Sequence, residues 1–285
     1  MNPYHGLVAQ YARLAGQSKF LSRGAFPALA PLELPADAQK ALFFAPHPDD
    51  ETIIGGLALR LMREARMKVI NVAVTQGSKK SRQDQRLREL ENACDYIGFG
   101  LITTGPHGLE RINPETREHD PKHWSACVSI ISSILKATEP RVIFFPHQHD
   151  WNSTHIGTHF LVMDALARMP AEFECFLIET EYWGQMTQPN LMAEIGSKDL
   201  ADLMAATSFH VGEVNRNPFH LLMPAWMMDN VRRGSELVGG QGETAPNFTF
   251  AALYRLRRWT DGKPMDILSG GKHLPAAISA ATLLF

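Results

Sequence analysis

Two short stretches carry residue types suited to metal-assisted hydrolysis. The first is Pro46-His47-Pro48-Asp49-Asp50-Glu51-Thr52, followed by Ile53-Ile54-Gly55-Gly56. The second, much later in the chain, is Pro146-His147-Gln148-His149-Asp150-Trp151-Asn152-Ser153-Thr154-His155. Histidine nitrogen and carboxylate oxygen together suit a catalytic divalent metal that keeps a position open for water and substrate. His47 and Asp50 stand three positions apart, a spacing that aims both at one point from a strand-to-helix corner. His155, at the start of a second helix, can supply the third ligand. Asp49 lies between the first two and is placed to be the general base for a metal-activated water. Each residue also has a plainer reading. An Asp before a helix is commonly a cap, and a single His is commonly structural. It is the pairing of two such stretches that argues for a site.

The elements around these stretches read as alternating strand and helix. Ala41–Ala45 is an apolar strand, and residues 51–66 follow as a helix with Ile53, Ile54, Leu57, Leu61 and Met62 on one face. Residues 68–75 form a strand buried on both faces, and residues 81–97 a charged amphipathic helix stopped by Gly98. Residues 101–103 are a short strand, 105–121 a loop, 124–137 a helix and 141–145 a strand. A helix over 154–168 and a strand over 173–183 follow. This order predicts an α/β fold, a Rossmann-like three-layer sandwich with a mostly parallel sheet. Both motifs then sit at the carboxyl edge of the sheet, where open α/β proteins bind ligands. Before the core, residues 7–21 read as an amphipathic helix and 26–37 as a proline-rich lead-in. After it, the pattern weakens. Residues 186–191 read as a loop, 197–209 and 224–238 as helices, 248–258 as a late strand. The apolar tail over 276–285 packs on the body or forms a dimer contact. The chain reads as one domain over 1–285, with a core over 40–183 and a substrate-side extension over 184–285.

The bulk properties exclude several classes. A chain of 285 residues buries a large core without staples. Its formal net charge is −2 and it has no dense basic run, which argues against nucleic acid. No stretch approaches the length of a membrane span, and the N-terminus lacks the apolar core of a signal peptide. The three cysteines, Cys94, Cys127 and Cys175, read as reduced thiols and point to a cytoplasmic protein. A homo-oligomer remains open.

The first motif, with its Gly55-Gly56, resembles the signature of the LmbE-like (PIG-L) N-acetylglucosaminyl deacetylase family. The resemblance continues through Val74-Thr75-Gln76-Gly77, through Arg86-Leu87-Arg88-Glu89-Leu90 with Ile97-Gly98, and through Asp150 to His155. It covers residues 40–180. It implies a zinc-dependent enzyme that removes acetyl groups from N-acetylated amino sugars or their conjugates. It further implies His47, Asp50 and His155 as zinc ligands, Asp49 as base and Arg86 as a residue that holds the sugar. The ligand set also suits Fe2+ or another divalent ion. Arg86 has an equal alternative as a surface partner of Glu89. Glu51 reads as a helix-start carboxylate, with support of the site as the other possibility.

One departure from the family pattern matters. The second motif commonly reads His-Pro-Asp-His, whereas this chain has Asn152-Ser153-Thr154-His155. Asn152 cannot become a cation, but its amide can donate to a developing oxyanion. The metal, His149 or His159 could serve instead. His159, one helical turn after His155, reads as packing or as an outer partner before it reads as a ligand. Asp150 is placed to orient His155 or another histidine of the site. Two alternatives stand beside the deacetylase. One is a metal-dependent amidase for another small N-acyl substrate. The other is a non-catalytic sugar- or nucleotide-binding module, against which stands the absence of a Gly-x-Gly-x-x-Gly after the first strand.

Overall fold

A computed structural model describes residues 2–284. Its centre is a nine-stranded sheet in the order β3-β2-β1-β4-β5-β7-β6-β9, with β8 paired to β7. The strands are β1 (Lys40–Ala45), β2 (Lys68–Ala73), β3 (Gly100–Thr103), β4 (Val142–Pro146), β5 (Cys175–Thr180), β6 (Leu191–Glu194), β7 (Ala251–Thr260), β8 (Lys263–Asp266) and β9 (Lys272–Leu274). β1 to β5 run parallel, and β7 runs against β5, β6 and β8. The expected mostly parallel α/β sheet is present.

The alternation of side chains along each strand explains the three layers. On β1, Ala41 and Phe43 join one apolar cluster while Leu42 and Phe44 join the other. The first cluster is covered by α3 (Gly56–Glu64), α4 (Gln83–Ile97), α8 (Ser197–Thr207) and α10 (Met223–Leu237). The second is covered by α6 (Pro121–Thr138) and α7 (Ser153–Leu166). Such strands, apolar on both faces, are the ones a parallel sheet demands.

Several boundaries differ from expectation, each for a local reason. The helix expected over 51–66 is two, α2 (Asp50–Ile53) and α3. The break falls at Gly55, where a Cβ would lie 2.3 Å from the Glu51 carbonyl oxygen. The loop expected over 105–121 contains α5 (Pro114–His119), capped by Asn113, whose side chain accepts the Thr116 N–H. The loop expected over 186–191 leads into β6, and α9 (Val211–Arg216), β8 and β9 are further additions. The first helix, α1 (Tyr4–Ser18), forms but buries none of its residues. The apolar tail packs on the body: Ala280, Leu283 and Leu284 are buried in the first cluster. Phe285 lies outside the described residues. Among the described residues, no helix is long and apolar enough to cross a membrane.

The strand order sets the site. β1 has β2 on one side and β4 on the other, so the chain winds outward in both directions from that pair. The carboxyl ends of β1 and β4 therefore splay apart at a topological switch point, which leaves a crevice. The two His-bearing stretches emerge there.

Candidate metal centre and cleft

His47 Nδ1, Asp50 Oδ2 and His155 Nε2 form a nearly equilateral triangle. The sides are 3.4 Å from His47 to Asp50, 3.3 Å from Asp50 to His155 and 3.3 Å from His47 to His155. These three residues could hold a metal ion. The separations exceed those of good hydrogen bonds. They match the edge, about 3.3 Å, of a tetrahedron whose ligands lie ~2.0–2.1 Å from a central zinc. The electrostatics agree. Burial opposes a charge on His155, but the carboxylates of Asp50 and Asp150 outweigh it and push its pKa up to about 9. Burial likewise opposes a charge on Asp50, yet His155 and His47 hold its carboxyl below the usual range. The centre is thus built to take positive charge. The donor set fits a divalent zinc or a metal of similar preference.

The backbone holds the donors in place. Asp50 Oδ2 also accepts the His47 N–H at 2.8 Å, which closes the turn between the two ligands. Asp150 Oδ2 lies 3.6 Å from His155 Nδ1, on the side away from the triangle. Asp150 is itself fixed, because its carboxylate accepts the N–H groups of Asn152, Trp183 and Gly184. It is positioned to orient the His155 ring, as carboxylates behind metal-binding histidines do. Tyr182 completes the packing. Its ring meets His155 edge-on at 4.7 Å between centroids, and its hydroxyl lies 3.5 Å from the Asp50 carbonyl oxygen.

Asp49 is not a helix cap. It precedes α2 but makes no side-chain capping bond, and its backbone is left-handed at φ +116°. Its carboxyl is nearly buried and lines the cleft. Burial raises its pKa well above the usual carboxylate value and the neighbouring Asp50 charge adds to this, against the pull of His210 and Arg86. A carboxyl raised in this way is a better proton acceptor than an ordinary aspartate.

Asn152 is the N-cap of α7: its side-chain oxygen accepts the N–H groups of Thr154 and His155. With the oxygen so used, the amide nitrogen is left as a donor, and Asn152 lines the same cleft as Asp49. His159 does not join the triangle. Its Nδ1 lies 2.9 Å from the Pro146 carbonyl oxygen and 3.9 Å from Glu179, in a separate polar chamber that His149 also lines. Arg86 does not pair with Glu89. It donates to the Pro48 carbonyl at 3.1 Å and lies 3.8 Å from Glu213. Gly77 makes room for it: a Cβ there would lie 2.3 Å from the guanidinium.

Two further residues, Glu51 and His210, are joined at the site. Glu51 is not an ordinary helix-start carboxylate, because one oxygen accepts the Asp49 N–H at 2.9 Å and the other lies 2.8 Å from His210 Nε2. His210 belongs to the extension and comes with no local motif. Of the aromatic and polar residues in that extension, Trp183 and Trp226 line the groove beside the site. Phe209 packs on Phe26 and Tyr96, and Arg232 pairs with Asp229 on the surface.

The cleft above the triangle measures about 500 Å3, and Lys79, Arg82, Arg86 and Arg216 form one wall of it. Glu213 ties Arg82 and Arg216 in place. An apolar groove of about 320 Å3 continues from the cleft. The two share Trp183, Asn217 and Phe219.

The comparisons with known proteins agree with this geometry. Residues 42–166 match the family described as PIG-L: GlcNAc-PI de-N-acetylase. This stretch is similar to the domain that family describes. It holds His47, Asp49, Asp50 and His155, and it makes the chain an enzyme of the N-deacetylase type, a hydrolase. No curated protein matches the sequence. Among solved structures, the fold is similar to that of N,N'-diacetylchitobiose deacetylase from Pyrococcus horikoshii, with TM-score 0.54 and 16% identity over 77% of this chain and 84% of that one. It is similar to the zinc-inhibited form of teicoplanin deacetylase Orf2, with TM-score 0.56 and 14% identity over 81% of this chain and 100% of the other. It is also similar to GalB, the 4-carboxy-2-hydroxymuconate hydratase from Pseudomonas putida KT2440, with TM-score 0.54 and 13% identity over 76% and 95% of the respective chains. At such identities the likeness is one of fold.

Proposed function

We propose that this protein is a zinc-dependent deacetylase of an N-acetylated amino sugar or sugar conjugate. The observation that carries the reading is the triangle of His47, Asp50 and His155, with the free carboxyl of Asp49 beside it in one cleft. When bound, the metal supplies a Lewis acid that polarises the acyl carbonyl and acidifies the attacking water. His47, Asp50 and His155 hold it, and Asp150 sets the His155 ring. Asp49 takes the proton of the attacking water and passes it to the leaving amine, which departs as acetate is formed. The Asn152 amide nitrogen donates to the oxyanion of the tetrahedral intermediate. Arg86, anchored on Pro48, borders the sugar subsite.

We read the whole chain as one deacetylase domain, with residues 184–285 walling the substrate side. The continuation of the central sheet through β7, β6 and β9 supports this. The apolar groove past Trp183 and Phe219 suits the apolar part of a conjugate. The three unpaired, buried cysteines accord with work in the cytoplasm.

The test is acetate release from a panel of N-acetyl amino sugars and conjugates by the zinc-loaded enzyme and by Asp49→Asn. The reading expects turnover by the wild type and a loss of about 10²–10⁴ in the variant, with zinc retained. Full turnover by Asp49→Asn would remove Asp49 from the mechanism. No acetate from any substrate would refute the deacetylase.

A further inference from the structure

Asp49 occupies a backbone conformation that side-chain-bearing residues rarely adopt, and something must hold it there. A capping Asp takes an extended conformation and turns its carboxylate onto the helix N-terminus. The left-handed turn at Asp49 leaves its carboxyl in the cleft instead. Both peptide groups of the residue are gripped. Its N–H donates to Glu51 Oε2 at 2.9 Å, and its carbonyl accepts from the Thr52 hydroxyl at 3.0 Å. Each grip is backed from the end of α8, by its last residue Thr207 and by His210 three positions on, at the start of α9. Glu51 Oε1 meets His210 Nε2 at 2.8 Å, and the Thr207 hydroxyl oxygen lies 3.0 Å from that of Thr52. Glu51, Thr52, Thr207 and His210 are essentially excluded from solvent. Thr207 and His210 are tied to each other, because the His210 N–H donates to the Thr207 carbonyl. Both lie outside the stretch that matches the family.

We infer that His210 is a positioning residue. Through Glu51 it locks the Asp49 peptide in its left-handed turn and so keeps the Asp49 carboxyl in the cleft. The extension over 184–285 thereby reaches the chemistry of the core domain through one buried pair. The inference concerns placement, and it rests on the proposed role of Asp49 only for its consequence in turnover. Without His210, Glu51 loses its side-chain partner in a site closed to water, and its grip on the Asp49 N–H relaxes. Small misplacements of a reacting group are expensive in rate.

Two measurements test this. The first is a kinetic double-mutant cycle on the zinc-loaded enzyme with His210→Ala, Glu51→Gln and the double variant, alongside His210→Gln. His210→Ala is expected to lower kcat about 10–100-fold, with KM and zinc content changed little. The double variant should be no slower than the slower single one, because both remove the same strut. His210→Gln, which keeps a donor for Glu51, should recover most of the rate. An unchanged kcat in His210→Ala, or losses that multiply independently, would overturn the inference.

The second measurement needs no turnover. Thermal unfolding is compared for His210→Ala in the wild-type background and in Asp49→Gly. Glycine adopts the left-handed turn without help, so the Tm loss caused by His210→Ala should shrink by about half or more in that background. An equal loss in both would show that His210 only fills space. Should the wild type release no acetate, the deacetylase reading fails and this second cycle still decides for or against the strut.

Discussion

Asn152 has two duties that one substitution can separate. Its side-chain oxygen caps α7 and fixes the N–H groups next to His155, while its amide nitrogen is free for substrate. Asn152→Asp keeps a capping oxygen and removes the donor. It should leave thermal stability near wild type and lower turnover about 10²–10³-fold. Asn152→Ala removes both and should cost about 1 kcal/mol of stability in addition. Equal turnover in wild type and Asn152→Asp would move the oxyanion role elsewhere. At this scale much was legible in the sequence. His47, Asp49, Asp50 and His155 sit in short motifs whose geometry is set by the turn that contains them. The strut of Glu51 and His210 was not legible, because its partners stand 159 positions apart, one in the core and one in the extension, and no periodicity links them.

At the scale of elements, α9 is a short helix whose Glu213 organises the cationic wall of the cleft. Burial would raise the Glu213 pKa, but Arg216, Arg86 and Arg82 outweigh it and hold it below the usual glutamate value. A depressed folded pKa favours the ionised form in the native state. The stabilisation is therefore present in full above the unfolded value of 4.5 and is lost as pH falls through the folded one. Glu213→Gln should lower Tm by about 2–4 °C at pH 7, and the difference from wild type should fade as pH falls below the unfolded value and through the folded one. A constant Tm difference across that range, followed by calorimetry, would mean the loss is packing and not charge. α9 escaped the sequence reading because it is short and lacks a clear apolar stripe. By contrast α5 carried a readable signal, Asn113 followed by Pro114, which is a cap with proline at the first helical position. The long helix read across Gly55 failed for a different reason. Its apolar spacing continues through the break, and only the close approach to the Glu51 carbonyl forces the chain to restart.

Across the whole molecule, a single buried arginine ties the core to the end of the chain. Arg60 on α3 is fully enclosed, and its guanidinium donates to the carbonyls of Glu194, Leu274, Pro275 and Ile278 and to Glu64. Arg60→Met would leave those carbonyls without a donor in a closed space. It should destabilise the fold by about 3–5 kcal/mol in denaturant unfolding. A loss under about 1 kcal/mol would mean the C-terminal segment is held by its apolar contacts alone. The sequence shows Arg60 only as a charged residue within an apolar helix stretch, and nothing local tells which distant carbonyls it meets. The parallel core, by contrast, was readable as a whole. Each of its strands is a short apolar run bounded by turn residues, and strand–helix alternation leaves few topologies open. The extension was not, because β6, β8 and β9 are too short to show a period, and β6 and β8 depend on β7 for pairing while β9 depends on β6.

The claim on which the rest depends is that His47, Asp50 and His155 hold one catalytic ion. Its most direct test is the zinc content of the purified protein and of His155→Ala, by elemental analysis after reconstitution and removal of loose metal. The account predicts one ion per chain in the wild type and a loss of most of it in the variant. A wild type that takes up no metal, or a variant that retains its ion, would contradict it.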